Sequence, residues 1–240
     1  MLRILVANSK GGCGKTTVTS TLAGYYARSG RRTVLVDCDP QGSSLAWCSL
    51  RAAHLAPVHG VSSNDPSHGM STSWMLRIPG NTDVLLIDTP AGLRAHEFEQ
   101  FGRHADVLLI PVVPSPIDLR ATLGFIDIVR RMPEVRQGKL RVGLIINRLR
   151  ERTNSAKQLD ITLQRLTQTA LARVRDSQTY VGLSDCGQSL FDQNSSQTRS
   201  HREDWLPLLE WLDQRAAEIG NRGSVTRLVP QAQRLGGSST

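Results

Sequence analysis

Short apolar runs alternate along the chain with stretches whose apolar positions recur at helical spacing. Leu2-Arg3-Ile4-Leu5-Val6-Ala7 is apolar and β-branched, as a buried strand requires, whereas Val18, Leu22 and Tyr25 within Thr16 to Ser29 follow the period of a helix. Thr33-Val34-Leu35-Val36, Asp83-Val84-Leu85-Leu86-Ile87, the run from Val107 to Pro116 and Val142-Gly143-Leu144-Ile145-Ile146 read as further strands. Pro116 to Met132 predicts a helix with proline in its first turn, and Asn154 to Thr167 and Glu203 to Ile219 carry leucine and isoleucine at helical spacing. This alternation predicts an α/β fold with a doubly wound, mostly parallel sheet flanked by helices. Pro57 to Ser73, rich in Ser, Gly, His and Pro, and the stretch 221–240 read as irregular, the latter as a flexible basic tail. The 240 residues suit a single domain spanning 1–220, without internal repeats.

The first strand runs into Ser9-Lys10-Gly11-Gly12-Cys13-Gly14-Lys15-Thr16-Thr17, so three glycines fall at a strand-to-helix turn. Lacking a Cβ, Gly11, Gly12 and Gly14 can take positive φ and let backbone amides approach a phosphate chain, on which the following helix also directs its unsatisfied N–H groups. Lys15 is placed to pair with the β and γ phosphates, and the Thr16 hydroxyl to enter the coordination sphere of Mg²⁺. The stretch is a nucleoside-triphosphate site of the P-loop NTPase type. Ser9 stands where the generic P-loop pattern has a further glycine, and the additional lysine, Lys10, can reach a phosphate in its own subunit or a partner's.

Carboxylates at the carboxyl ends of parallel strands face the crevice in which open α/β sheets bind ligands. Asp37-Cys38-Asp39-Pro40-Gln41-Gly42 and Asp88-Thr89-Pro90-Ala91-Gly92 both follow such strands. Asp88 is the candidate to hold Mg²⁺ through a water, and Asp39 to position the attacking water, since phosphoryl transfer needs orientation and charge neutralisation more than covalent chemistry. A helix N-cap or an Asx turn is the alternative for each, and the role of Asp37 stays open. Asn147 ends an apolar strand, where its amide offers a donor and an acceptor to a purine edge or, alternatively, forms a turn. Asn147-Arg148-Leu149-Arg150 lacks the Asn-Lys-x-Asp pattern of guanine recognition, which favours ATP.

Lys10-Gly11-Gly12-Cys13-Gly14-Lys15-Thr16-Thr17 resembles the deviant Walker A box of the ParA/MinD family of ATPases. The Asp37 to Gln41 segment is similar to the family's Asp-x-Asp-Pro-Gln box, and Asp88 to Gly92 to its Walker B and switch II segment. Gly187-Gln188-Ser189-Leu190-Phe191-Asp192 is similar to a Gly-x-Ser-Val-Phe-like stretch of ParA proteins, and the likeness covers about 1–219. It implies adenine as the base, and a sandwich homodimer formed on ATP and Mg²⁺ in which Lys10 crosses to the partner's phosphates. It further implies non-specific binding to nucleoid DNA and hydrolysis stimulated by a ParB-like or cargo-adaptor protein, with a plasmid or a protein compartment such as a carboxysome as cargo. A filament-forming scaffold and a metabolic enzyme of the same superclass are the alternatives. The latter, if a nitrogenase-reductase-like protein, needs cysteines to ligate a cluster.

Charge supports a polyanionic partner. The net charge is +8, and arginine supplies most of it: Arg148, Arg150, Arg152, Lys157, Arg173, Arg175, Arg199, Arg202, Arg215, Arg222, Arg227 and Arg234 all lie in the second half. Contacts of this kind to phosphate give affinity without sequence information. With the phosphate loop starting at Ser9, a helix-turn-helix ahead of it is not expected, and Val225 to Leu235, interrupted by Pro230, does not read as a membrane-binding amphipathic helix. No run is apolar enough to span a membrane and the first residues do not read as a signal peptide, so the expected location is cytoplasmic, at the nucleoid. Cysteines 13, 38, 48 and 186 have no metal-ligand spacing and read as reduced thiols.

Overall fold

The computed structural model describes residues 1–65, 69–70, 72–165 and 170–225. In chain order the elements are β1 (Leu2–Val6), α1 (Lys15–Arg28), β2 (Thr33–Asp37), α2 (Ser43–Leu50), β3 (Val58–Ser62), β4 (Asn64–Asp65), β5 (Gly69–Met70), β6 (Val84–Asp88) and α3 (Ala95–Gly102). There follow β7 (Val107–Val112), α4 (Pro116–Arg131), α5 (Pro133–Arg136), β8 (Arg141–Leu149), α6 (Asn154–Arg165), β9 (Ala170–Arg175), α7 (Gln178–Ser184), α8 (Ser196–Glu203) and α9 (Leu206–Val225).

Seven strands form one sheet in the order β3-β2-β6-β1-β7-β8-β9, every pair parallel. The register sets Val6 and Asp37 opposite Asp88, so the two aspartates and the start of the phosphate loop leave the sheet at one level. Strand residues alternate between two cores. Leu5, Val36, Ile87 and Leu108 face Phe98 of α3, Phe125 of α4 and Leu159 of α6, while Ile4, Val6, Leu86 and Leu109 face Val18 and Leu22 of α1 and Leu208 and Leu212 of α9. Helices thus cover both faces, which accounts for apolar runs rather than alternation in the central strands.

Two segments differ from the sequence expectation. Pro57 to Ser73, read as irregular, contains the edge strand β3, paired with β2 from Thr33↔Val58 to Asp37↔Ser62. Its glycine is a packing requirement: a Cβ on Gly60 would lie 2.8 Å from Leu45 Cδ1 of α2, so the helix seats directly on the strand. At the other end α9 continues through Val225, so the first residues of the expected tail are helical; 226–240 lie outside the described residues.

The Gly187 to Asp192 segment is fixed by a buried polar network. Arg51, just after α2, forms a 2.7 Å ion pair with Asp192 in which both side chains are 3% exposed, and it donates as well to the carbonyls of Ala56 and Gly187. Asp192 also accepts from the backbone N–H and hydroxyl of Ser189, while Trp47 of α2 donates to the Gln188 carbonyl. Ser189 in turn sits on α1, where a Cβ on Gly24 would lie 2.0 Å from its Oγ. Removing one partner of a buried pair leaves the other charge stranded, so Arg51→Ala should lose about 3–5 kcal/mol of unfolding free energy in urea titrations.

Candidate nucleotide-binding site

Gly14 caps α1 in the left-handed conformation, φ 92°, and Gly12 has φ 72°. Both need glycine for the reason given above, whereas Gly11 has no positive φ, and a Cβ there would make an ordinary 3.5 Å contact with Ala91. The expectation that all three glycines exploit positive φ is corrected in this respect. Lys15 opens α1 and is 7% exposed, so an ammonium lies where the helix dipole already attracts anions. Cys13 is 2% exposed with its Sγ 3.3 Å from the Lys10 carbonyl, and burial raises its thiol pKa, which makes it packing rather than a nucleophile.

Gly14 also has no room for a side chain, because a Cβ would come within 2.0 Å of Asn147 Nδ2. That nitrogen donates 2.8 Å to the Cys13 carbonyl, and Asn147 is 4% exposed. The strand runs two residues past Asn147, to Leu149, and the Asn147 amide fastens β8 to the phosphate loop, a task that spacing along the chain could not reveal. Beside it Arg148 holds φ 52°, the one non-glycine with positive φ among the described residues. Asn147, Arg148, Thr17, Val113, Pro114 and Tyr180 line a cleft of about 760 Å³ next to the loop.

Asp88 is 1% exposed, and its Oδ2 accepts 2.8 Å from the Thr16 hydroxyl while Oδ1 has no hydrogen-bond partner among the described residues. Burial, assisted by the Asp37 charge and opposed by the Thr16 hydrogen bond, the nearby Ser44 hydroxyl and Lys15, pushes its carboxyl up to about 7; the Ser44 hydroxyl itself makes no well-formed hydrogen bond among the described residues. A hydroxyl and an incompletely satisfied carboxylate side by side fit Mg²⁺, which takes few protein ligands and completes its shell with waters and phosphate oxygens. Among the described residues no group of three or more His, Cys, Asp or Glu could hold a metal by itself.

Asp37, left open by the sequence, has both oxygens committed: Oδ1 accepts from Asp39 N–H at 2.9 Å and Oδ2 from Leu45 N–H at 2.8 Å. It ties the start of α2 to the sheet. Asp39 is less buried, and its Oδ1 accepts from Gln41 N–H at 3.0 Å in an Asx turn. Lys10 lies at the loop's outer side, 41% exposed, with Nζ 3.2 Å from Asp118 Oδ1 in the first turn of α4. A residue that the sequence did not single out, Asn8, links these parts: fully buried, it donates to the Pro111 carbonyl and to Thr122 of α4 and accepts from Lys10 N–H. An asparagine directly after the first strand run was the available signal.

Several of the arginines read as a polyanion surface sit in ion pairs exposed enough for phosphate to compete with them. Arg150, Arg173, Arg175 and Arg199 pair with Asp176, Asp160, Asp204 and Glu203, Arg202 donates to the Gln193 carbonyl, and Arg215 is 4% exposed. Arg148, Arg152 and Lys157 are exposed. The Arg222 side chain, Arg227 and Arg234 lie outside what is described. No helix among the described residues is long and apolar enough to cross a membrane.

A phosphate loop, an Mg²⁺-competent Thr16–Asp88 pair and a parallel sheet with its site at the strands' carboxyl ends define a P-loop nucleotide-binding protein. The chain belongs to the family described as the CobQ/CobB/MinD/ParA nucleotide binding domain, whose model matches residues 4–181, and within it to the ParA/MinD group of ATPases. It is 32% identical over 166 residues to Maintenance of carboxysome distribution protein A of Halothiobacillus neapolitanus, covering 68% of this chain and 74% of that one. It is likewise 32% identical over 192 residues to the Chromosome-partitioning ATPase Soj of Thermus thermophilus, covering 68% and 75%. Among solved structures a Cyanothece McdA–ATP complex shares the fold, with TM-score 0.65, 18% identity and coverage of 87% of this chain and 96% of that one.

Ionising Asp88 in its buried site is costly, so Asp88→Asn should leave the nucleotide-free protein at least as stable as the parent. The raised pKa favours the protonated native state, so parent stability falls as pH rises from the ordinary carboxylate range to about 7 and then levels. The melting-temperature advantage of the variant should widen over that interval. Mg²⁺-dependent ATP hydrolysis should fall about 10–100-fold in the same variant, as measured by phosphate release.

Proposed function

We propose that the chain is a ParA-type switch: it binds ATP with Mg²⁺, dimerises face to face, holds nucleoid DNA non-specifically, and is released when a ParB-like or cargo-adaptor protein stimulates hydrolysis. The cargo it positions is a plasmid or a protein compartment such as a carboxysome. Backbone N–H groups of Gly11 to Gly14 and Thr17 cradle the phosphates, Lys15 neutralises them, Thr16 and Asp88 hold Mg²⁺, the latter through a water, and the cleft beside Asn147 takes the adenosine. Asp39 leaves its Asx turn to orient the attacking water.

The observation that carries this reading is Lys10. It sits on the phosphate loop but is exposed, and its ion-pair partner is Asp118 of α4 rather than a group in the site. An exposed pair of this kind is worth at most about 1 kcal/mol, so phosphate oxygens of a second subunit can displace it readily. Nucleotide occupancy then becomes a condition for association. DNA binding rests on the net charge of +8, with Arg148, Arg152 and Lys157 as its exposed contributors near the cleft. Such binding should weaken steeply with salt.

Lys10→Ala should retain ATP binding but lose ATP-dependent dimer in light scattering, whereas Asp118→Ala, which frees the lysine, should dimerise at lower ATP concentration. Dimerisation unchanged in Lys10→Ala removes the trans role. Asp39→Ala should bind ATP and stay on DNA in a filter-binding assay, with partner-stimulated turnover cut by about 10²-fold or more; rapid turnover in that variant refutes its assignment.

A further inference from the structure

The opposite end of the sheet carries a second concave feature. A cavity of about 460 Å³ opens where β8 begins, floored by Val129, Leu140 and Leu144 and walled by Trp211 of α9. Arg141 and Arg215 also line it. Arg215 makes the wall rigid: from α9 it donates to the Lys139 carbonyl at 2.9 Å and to Glu218 at 2.7 Å, fastening the loop before β8 to the helix.

Its surroundings are strongly basic. Arg130, Arg131, Arg136, Lys139 and Arg141 fall within twelve residues that contain one carboxylate, Glu134. Arginines at the end of α4 suit its dipole, but Arg136, Lys139 and Arg141 are exposed beyond it, and none of these three forms an ion pair among the described residues. The arginines of β9 and α8, by contrast, are matched by aspartate or glutamate. Of Arg136, Lys139 and Arg141, the last lines the cavity itself, and the only carboxylate among the lining residues, Glu218, is engaged by Arg215.

We infer that this cavity is a docking site for a partner protein's acidic segment, one large apolar side chain entering beside Trp211 while flanking carboxylates meet Arg141 and its neighbours. Duplex DNA would use the arginines but leave the apolar floor unfilled, whereas an anchor in a pocket within a polar rim is how protein segments obtain both affinity and specificity. The site lies at the start of β8, and Asn147, near the end of that strand, holds the phosphate loop; six residues of strand separate them by roughly 20 Å. A partner bound here leaves the nucleotide face open. The inference does not depend on the switch reading, since it requires neither ATP nor a dimer.

Trp47, Trp74 and Trp205 are at most 2% exposed, so Trp211 is the tryptophan placed to report on an occupant. A fluorescein-labelled amphipathic peptide of glutamate, leucine and phenylalanine should bind the full chain saturably in fluorescence anisotropy and, unlabelled, change tryptophan emission. Arg141→Glu should weaken it about tenfold or more without altering basal ATP hydrolysis, and Trp211→Phe should abolish the emission change while anisotropy still reports binding. Replacing the apolar residues by serine, or glutamate by lysine, should remove binding. Absence of saturable binding, equal affinity in Arg141→Glu, or a duplex oligonucleotide that is sensitive to Arg141→Glu when the peptide is not, overturns the proposal.

Discussion

One hydrogen bond between distant parts of the chain sets the site: the Asn147 amide donating to the Cys13 carbonyl. It joins the carboxyl-terminal part of β8 to the turn between β1 and α1, and it does so in a space from which any side chain on Gly14 is excluded. A phosphate loop works through the direction of its backbone N–H groups, and a carbonyl pinned outward from the nest keeps those groups converging. The identity of Gly14, its left-handed backbone and the burial of Asn147 are consequences of the same close approach. Asn8 does for the loop's first residues what Asn147 does for its middle, reaching Pro111 and Thr122 on β7 and α4. The loop is thus suspended between strands on its own side of the sheet.

Around this fixed loop the ionisable groups divide by their degree of commitment. Asp37 is saturated and structural, Asp88 is buried and short of one partner, and Asp39 and Lys10 are held by contacts that a ligand can replace. This gradient, from rigid to exchangeable, is what a switch built on a nucleotide requires: the scaffold stays fixed while the outer groups change partners.

Much of this was legible in the chain. The central strands and α1, α4 and α6 announce themselves because residues buried on both faces of a parallel sheet form unbroken apolar runs, and the glycine-lysine-threonine order of the loop leaves few other readings. The edges were not legible, for a physical reason: an edge strand needs fewer apolar residues. Gly60 and His59 made β3 look like a loop, although the glycine is there for the approach of α2, and Arg173 and Arg175 masked β9, in which their alternation with buried Ala172 and Val174 is that of a half-covered strand. Arg51 carried no local signal, since its partner Asp192 is remote in sequence. The basic run 130–141 went unremarked because its meaning lies in the cavity it surrounds.

The ion pairs of β9 have a further consequence for assembly. Arg173 and Arg175 reach across to Asp160 of α6 and to Asp204 beyond α8, so the outward-pointing positions of this edge are tethered by charge to flanking segments. Asp204 also accepts from the Arg175 backbone N–H, so a strand adding at this edge would have to displace that carboxylate before it could pair there. Pairing through this border is thus blunted by side-chain charge rather than by a covering helix, which leaves the edge guarded but not buried.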